Sequence, residues 1–217
     1  MSAEPGRDCP LCPRLVAFRV AQRGLNPGWH NAPVPSFGAV DAPLLIVGLA
    51  PGLQGANRTG RPFTGDWAGD LLYDTLLRFG FARGVYDERA DDGLELVGAR
   101  ITNAVRCVPP QNKPTPAEQA SCRRFFTATL GEMGGLRCIL ALGRIAHDSV
   151  LRAFGVRLSA APFAHGALHA LTLPGGGAVT LRDSYHCSRY NTNTGVLTTQ
   201  MFRDVFAALR AELGAEG

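Results

Sequence analysis

Six cysteines limit the chemistry of this chain more than any other residue type. Cys9 and Cys12 form a C-x-x-C pair near the amino terminus, while Cys107 and Cys122 lie far downstream. Four thiolates drawn to one point suit zinc or an iron–sulfur cluster, and spacing alone leaves both open. The plainer alternative makes Cys107 and Cys122 small buried residues. Cys138, inside an apolar run, reads as core packing. The opening stretch MSAEPGRDCPLCPR is no secretory leader, so reduced thiols and a cytoplasmic location are expected.

A second group of residues sits in polar, Gly-rich and Pro-rich stretches. Asp66 closes PFTGD directly before a helical pattern, where the orphan N–H groups of the first turn favour a carboxylate. That makes it a plain N-cap, an acid–base group, or both. His186 follows an apolar run and reads as a hydrogen-bond donor to a ligand or as a local strand-end contact. Asn103 ends another run, and its amide offers one donor face and one acceptor face. Phe63, between Pro62 and Thr64, is either a stacking platform or a core ring beneath its loop. Small residues at Gly48, Ala50 and Gly52 keep the first loop slim, so that backbone N–H groups can approach a ligand. Arg61, Lys113, Arg144 and Arg189 are candidate phosphate contacts, which set position without reading sequence.

Positioning these groups falls to four short apolar runs, at 43–49, 100–105, 137–142 and 178–185, each leading through a loop into a helical pattern. Buried parallel strands read this way. Trp67, Leu71, Leu72, Leu76 and Phe79 recur at helical spacing, and Thr115-Pro116-Ala117-Glu118 carries the signals of a helix start. Strand then helix, four times, predicts a parallel sheet covered on both faces. Ligands then bind where the loops gather, at the carboxyl ends of the strands. The tract ARGVYDERADDG (82–93) reads as a solvated loop. At 217 residues one domain, spanning 1–217, is expected. The net charge of +4 only permits an acidic partner, and the Arg bias, with Lys113 the sole lysine, suits base composition as well as phosphate binding. No apolar run approaches the roughly 20 residues of a membrane span, and a monomer is the prior.

Taken in order, GLAPG with NRTGRPFTGD, then ITNAVRCVPPQNKPTP, then SYHCSRYNTNTGVLT, together with the four-cysteine pattern, resemble the type-5 uracil-DNA glycosylases and, more distantly, type 4. The resemblance runs from about Cys9 to Thr198. It implies an α/β fold, a three-layer α/β/α sandwich on a four-stranded parallel sheet. It also implies a structural 4Fe-4S cluster, held by Cys9, Cys12, Cys107 and Cys122, that clamps the amino-terminal segment. The implied activity is removal of uracil from DNA, possible substrates extending to hypoxanthine and etheno adducts. In that family's terms Asp66 activates water and steadies the sugar cation, His186 donates to uracil O2, and Asn112 serves the sugar or the water. Phe63 stacks on the flipped base, and Asn103 matches uracil O4 and N3–H.

Two departures stand out. Leu49 occupies the place of the carboxylate in the GEAPG loop of type 4, leaving the water to Asp66, and Cys187 replaces the usual Pro after the His, as a pocket-wall residue or an oxidation-sensitive one. Asn103 itself matches type 4, where type-5 members can carry Ala. Two other classes compete: a damaged-DNA binder that captures abasic sites covalently without turnover, and a zinc-stabilised nucleoside hydrolase.

Overall fold

The computed structural model describes residues 4–173 and 175–214. Helix α1 (Pro13–Leu25) precedes β1 (Phe37–Gly38) and β2 (Leu44–Gly48), followed by α2 (Ala56–Thr59), α3 (Trp67–Arg78), β3 (Ala82–Arg83), β4 (Glu95–Leu96) and β5 (Ala99–Asn103). After a 3-10 turn at Pro110–Asn112 come α4 (Pro116–Glu132), β6 (Cys138–Leu142), α5 (Arg144–Ala153), β7 (Leu168–Thr172), β8 (Ala178–Ser184), α6 (Arg189–Asn193) and α7 (Thr199–Gly214).

The main sheet runs β1-β5-β2-β6-β8-β7. Its four inner strands are parallel and coincide with the four apolar runs. Among the described residues the expected four-stranded sheet is corrected to six strands by an antiparallel strand at each edge, β1 on β5 and β7 on β8. Both edges escape the apolar pattern for a physical reason. β1 has two half-buried residues, and β7 buries only Leu171 of its five. An edge strand is covered on one side, so nothing demands a continuous apolar run.

Strands β2, β5 and β6 are buried at every position, on both faces, while β8 is buried at four of its seven residues. Leu44 and Ile46 of β2 meet Leu72 and Leu76 of α3 and Phe202 and Phe206 of α7. Leu45 and Val47 meet Phe126 and Leu130 of α4 and Val150 and Leu151 of α5. Fully covered side chains of this size each contribute about 1.5–3 kcal/mol. The result is helix pairs on either side of a sheet. Thr115 caps α4 as its sequence predicts, accepting from Glu118 N at 3.3 Å, while the Glu118 carboxylate accepts from Thr115 N at 2.7 Å. Glu118 also takes the Arg14 guanidinium at 2.7 Å, tying α1 to α4. No helix among the described residues is long and apolar enough to cross a membrane.

Candidate active site

Strands β5 and β2 end side by side at Asn103 and Gly48, β8 ends at Ser184 on the far side of β6, and the loops that follow enclose a cavity of about 310 Å³. Its lining includes Ala50, Gly52, Phe63, Asp66, Asn103, Asn112 and His186. That volume lies at the small end of the roughly 300–1,000 Å³ typical of ligand clefts.

Asp66 occupies the N-cap of α3 in extended conformation, and its Oδ1 accepts from Gly69 N at 3.2 Å. Burial raises its carboxyl above the ordinary value, and the helix-end N–H groups of Gly69 and Ala68 offset this only in part. A desolvated carboxylate is a stronger base than a solvated one. Its second oxygen lies so near the first loop that a β-carbon at Gly52 would stand 2.9 Å away, and one at Gly55 closer still. Slimness at Gly52 therefore makes room for the carboxylate.

Gly48 is small for a related reason. A β-carbon there would lie 2.6 Å and 2.7 Å from two atoms of the Phe63 ring and would also collide with Asn103 Oδ1. The expected purpose, backbone N–H groups approaching a ligand, is corrected at Gly48: the missing side chain admits two other side chains, and Gly48 is absent from the cavity lining. Phe63 adopts the left-handed region at φ 54, an uncommon conformation for a bulky residue. Neighbours over-determine it: Tyr73 donates its hydroxyl to Pro62 O at 2.6 Å, and the Phe63 carbonyl packs hard against Gly69. So held, the ring lies near-parallel to His186, centroids 6.0 Å apart and planes at 28°.

His186 leaves β8 two residues past its end, and Asn191 donates Nδ2–H to its carbonyl at 2.8 Å. Gly143, at φ 96, passes beneath its Cβ. Burial pushes the imidazole down to about 4, so the ring is neutral near pH 7. Asn103 is 3 % exposed and pairs in register with Gly48. Asn112 reaches the mouth from a turn in which both Gln111 and Asn112 are left-handed.

This arrangement can stabilise separated charge, with a buried carboxylate and a neutral donor facing one cavity. The sequence model of the uracil DNA glycosylase superfamily matches residues 35–210. The chain belongs to that superfamily. It is 50 % identical over 204 residues to a type-5 uracil-DNA glycosylase of Thermus thermophilus, covering 91 % of this chain and 90 % of that protein. A type-5 uracil-DNA glycosylase of Mycobacterium tuberculosis is 42 % identical over 217 residues, 96 % of this chain and 79 % of that one. A type-4 enzyme of Pyrobaculum aerophilum is 34 % identical over 152 residues, 70 % of this chain and 63 % of its own.

Several expectations change in this superfamily member. Arg61, a candidate phosphate contact, is 4 % exposed, and its two terminal nitrogens each donate to Asp92 at 2.7 Å. It is spent inside the protein. Asp92 belongs to the 82–93 tract, most of which is exposed as expected of a solvated loop, but the tract opens on β3, which pairs with β4, and stacks Tyr86 on Tyr73 at 4.5 Å. Burial by itself would raise the Asp92 carboxyl, but the Arg61 hydrogen bonds and charge, with the N–H groups of Asp87 and Leu94, hold it well below the carboxylate range. Cys187 is fully buried, its thiol donating to Ala68 O at 3.4 Å, so it packs beneath the cavity instead of forming its wall. Lys113 and Arg144 are exposed outside the lining, whereas Arg189 is on it. Trp67 and Ser188 also line the cavity. Sequence reading placed Trp67 in a helical pattern and gave it no role in the site. It stands 48 % exposed at the rim, and its place directly after Asp66 was the available signal.

Cys9, Cys12, Cys107 and Cys122 line one pocket with Leu15, Val105 and Phe125. Burial pushes the Cys107 and Cys122 thiols up to about 12 and about 11, so a cationic centre is needed to hold them as thiolates. Arg19 Nη1 lies 3.5 Å from Cys107 Sγ, and Arg106 N donates to Cys122 Sγ at 3.3 Å. Four sulfurs in an apolar pocket with N–H groups aimed at two of them fit a thiolate-bound metal centre. Cys138 is 1 % exposed in β6, as expected of core packing. A further polar cluster escaped the sequence reading. His147 Nδ1 and His169 Nε2 lie 2.8 Å and 3.3 Å from separate oxygens of Asp183, and His147 Nε2 lies 2.9 Å from Ala161 O. It ties α5 and β7 to the strand that leads to His186.

Proposed function

We propose that this chain flips uracil out of DNA and hydrolyses its N-glycosidic bond, leaving an abasic site. Membership of the uracil DNA glycosylase superfamily supports the reaction. The observation that carries it is one cavity whose acid, among the described residues, is Asp66 and whose imidazole is His186. As the bond breaks, positive charge develops on the sugar and negative charge on the departing uracil. The ionised Asp66 steadies the first and orients the attacking water, and its raised basicity helps take the water proton. His186, neutral, donates an N–H to uracil O2 as charge grows there, without binding the ground state as a cation would. Phe63 stacks on the extruded base, and Asn103 pairs its amide with O4 and N3–H, favouring uracil within any wider range of damaged bases. Asn112 meets the sugar or the water. Because Leu49 brings no carboxylate to the first loop, the water depends on Asp66.

A 4Fe-4S cluster on Cys9, Cys12, Cys107 and Cys122 supplies cross-linking when bound, pinning the amino-terminal segment to α4 and the loop after β5. The pocket supports it. DNA phosphates fall to Lys113, Arg144 and Arg189. The chain works as a monomeric, cytoplasmic, single-domain enzyme over 1–217. The deciding experiment incubates the holoenzyme with a labelled uracil oligonucleotide. Strand cleavage that appears only after alkali supports hydrolysis to an abasic site. A gel-stable covalent adduct would indicate capture, and turnover of free nucleosides alone would indicate a nucleoside hydrolase. Brown colour in the purified protein tests the cluster, since a zinc form is colourless.

A further inference from the structure

Two exposed arginines beside the cavity are seated on aromatic rings. The Arg189 guanidinium lies 5.6 Å from the centre of the Trp67 ring, and that of Arg144 lies 5.3 Å from the centre of Phe163. Among the described residues neither has a carboxylate within ion-pair distance, in contrast to Arg14, Arg23, Arg61 and Arg203. An aromatic face orients a guanidinium while leaving its charge and its N–H fork unspent. A carboxylate would cancel both.

The seats are built into the site loops. Trp67 directly follows Asp66 and donates Nε1–H to Thr192 Oγ1 at 3.0 Å. Thr192 is three residues on from Arg189 in α6, so indole and guanidinium are fixed to the same turn. Phe163 packs against Tyr185 at 6.1 Å, and Tyr185 directly precedes His186. Arg144 directly follows Gly143, which lies under the His186 side chain. One seated arginine thus adjoins the Asp66 side of the cavity and the other the His186 side.

We propose that Trp67–Arg189 and Phe163–Arg144 are two phosphate seats that grip the backbone of the uracil-bearing strand on either side of the extruded nucleotide. The inference rests on the uracil-excision reading and extends it by naming the surface and its ligand, the phosphodiesters flanking the target. An extruded nucleotide leaves its neighbouring phosphates around the pocket that receives the base, and two unneutralised, oriented cations, Arg189 on the lining and Arg144 next to the Gly143 that underlies His186, match them. Neutral Trp67 and Phe163 contribute by aiming the arginines, which makes them positioning residues.

The test measures binding of the holoenzyme to an oligonucleotide carrying 2′-fluorodeoxyuridine, whose glycosidic bond resists hydrolysis, across a salt series. Each phosphate contact adds about 0.7–0.9 to the slope of log affinity against log salt. Arg144→Gln and Arg189→Gln should each lower the slope by about that much, and the double variant by about twice as much. Trp67→Leu and Phe163→Leu should weaken binding severalfold, and Trp67→Phe should abolish most of the tryptophan emission change on binding. Arg203→Gln, whose arginine pairs with Asp74, should leave the slope unchanged. All the exchanged arginines are solvent-facing or half-exposed, so the variants should fold. Slopes equal to wild type in both arginine variants, with uracil release intact in the wild type, would overturn the seats alone. No uracil release and no preference for the analogue strand in the wild type would overturn the parent reading.

Discussion

Exchanging Asp66 for Asn separates the two jobs the structure gives this side chain. As N-cap it accepts from Gly69 N at 3.2 Å, which an Asn oxygen can do equally well. As a buried carboxylate it carries a charge that desolvation disfavours, which Asn removes. Because the folded pKa is raised, the fold prefers the protonated form. Asp66 therefore subtracts stability above its folded pKa and none below its unfolded value. Asp66→Asn should match or exceed wild-type stability at neutral pH, with the gain disappearing in acid. Asp66→Ala removes the charge but also the cap, so it should be about 1 kcal/mol less stable than Asp66→Asn, a Tm lower by roughly 2–4 °C for a chain of this size. Catalysis should respond the other way round. Both variants lose the group that takes the water proton and faces the sugar cation, a role worth about 10²–10⁴ in rate, or roughly 3–5 kcal/mol of barrier. The assay is single-turnover release of uracil from a labelled duplex, developed with alkali, alongside thermal unfolding of the same samples. Wild-type activity should fall as pH drops through the raised Asp66 pKa. If Asp66→Asn releases uracil within threefold of wild type at pH 7.5, the carboxylate has no part in the reaction.

Arg61→Met or Asp92→Asn each strands one member of a buried ion pair and should cost about 3–5 kcal/mol, read from urea unfolding; a loss under 1 kcal/mol would mean that the site opens to water. Because the Asp92 carboxyl sits below its unfolded value, the pair's contribution is present at neutral pH and disappears only in strong acid. Gly48→Ala drives a methyl group into Phe63 and Asn103, and uracil release should fall at least tenfold, with little change expected if those rings and amides could shift freely. His186→Ala should slow release about 10²–10³-fold. Its wild-type imidazole, already neutral, should put no inflection in the rate between pH 6 and 8. Cys122→Ser should bleach the visible absorbance and lower Tm, whereas a colourless wild-type protein binding one zinc would refute the cluster.

Much of this protein was legible because its sequence repeats one physical demand. Strands covered on both faces favour apolar residues, so β2 and β6 stood out as unbroken runs and β5 and β8 as runs interrupted by Arg100, Thr102, Thr180 and Arg182, and the Thr115–Glu118 box marked the start of α4 through interactions only three residues long. The loops of the site were legible as contiguous motifs. What tertiary structure alone decided were the long-range pairings. Nothing local distinguishes Asp92 from its acidic neighbours Asp91 and Asp87, yet folding buries it on Arg61 and withdraws that arginine from any phosphate. Gly48 announces only that it is small. Which side chains fill the vacated space, Phe63 and Asn103, depends on strands brought into register across 55 residues of chain. Likewise Trp67 belongs to a helical pattern by spacing and to the cavity rim by position, because the sheet turns the first residue of α3 toward α6 and not into the core. Local sequence sets backbone preference and burial on average; only the assembled fold sets which buried charge meets which partner, since that energy comes from contacts between residues the chain keeps far apart.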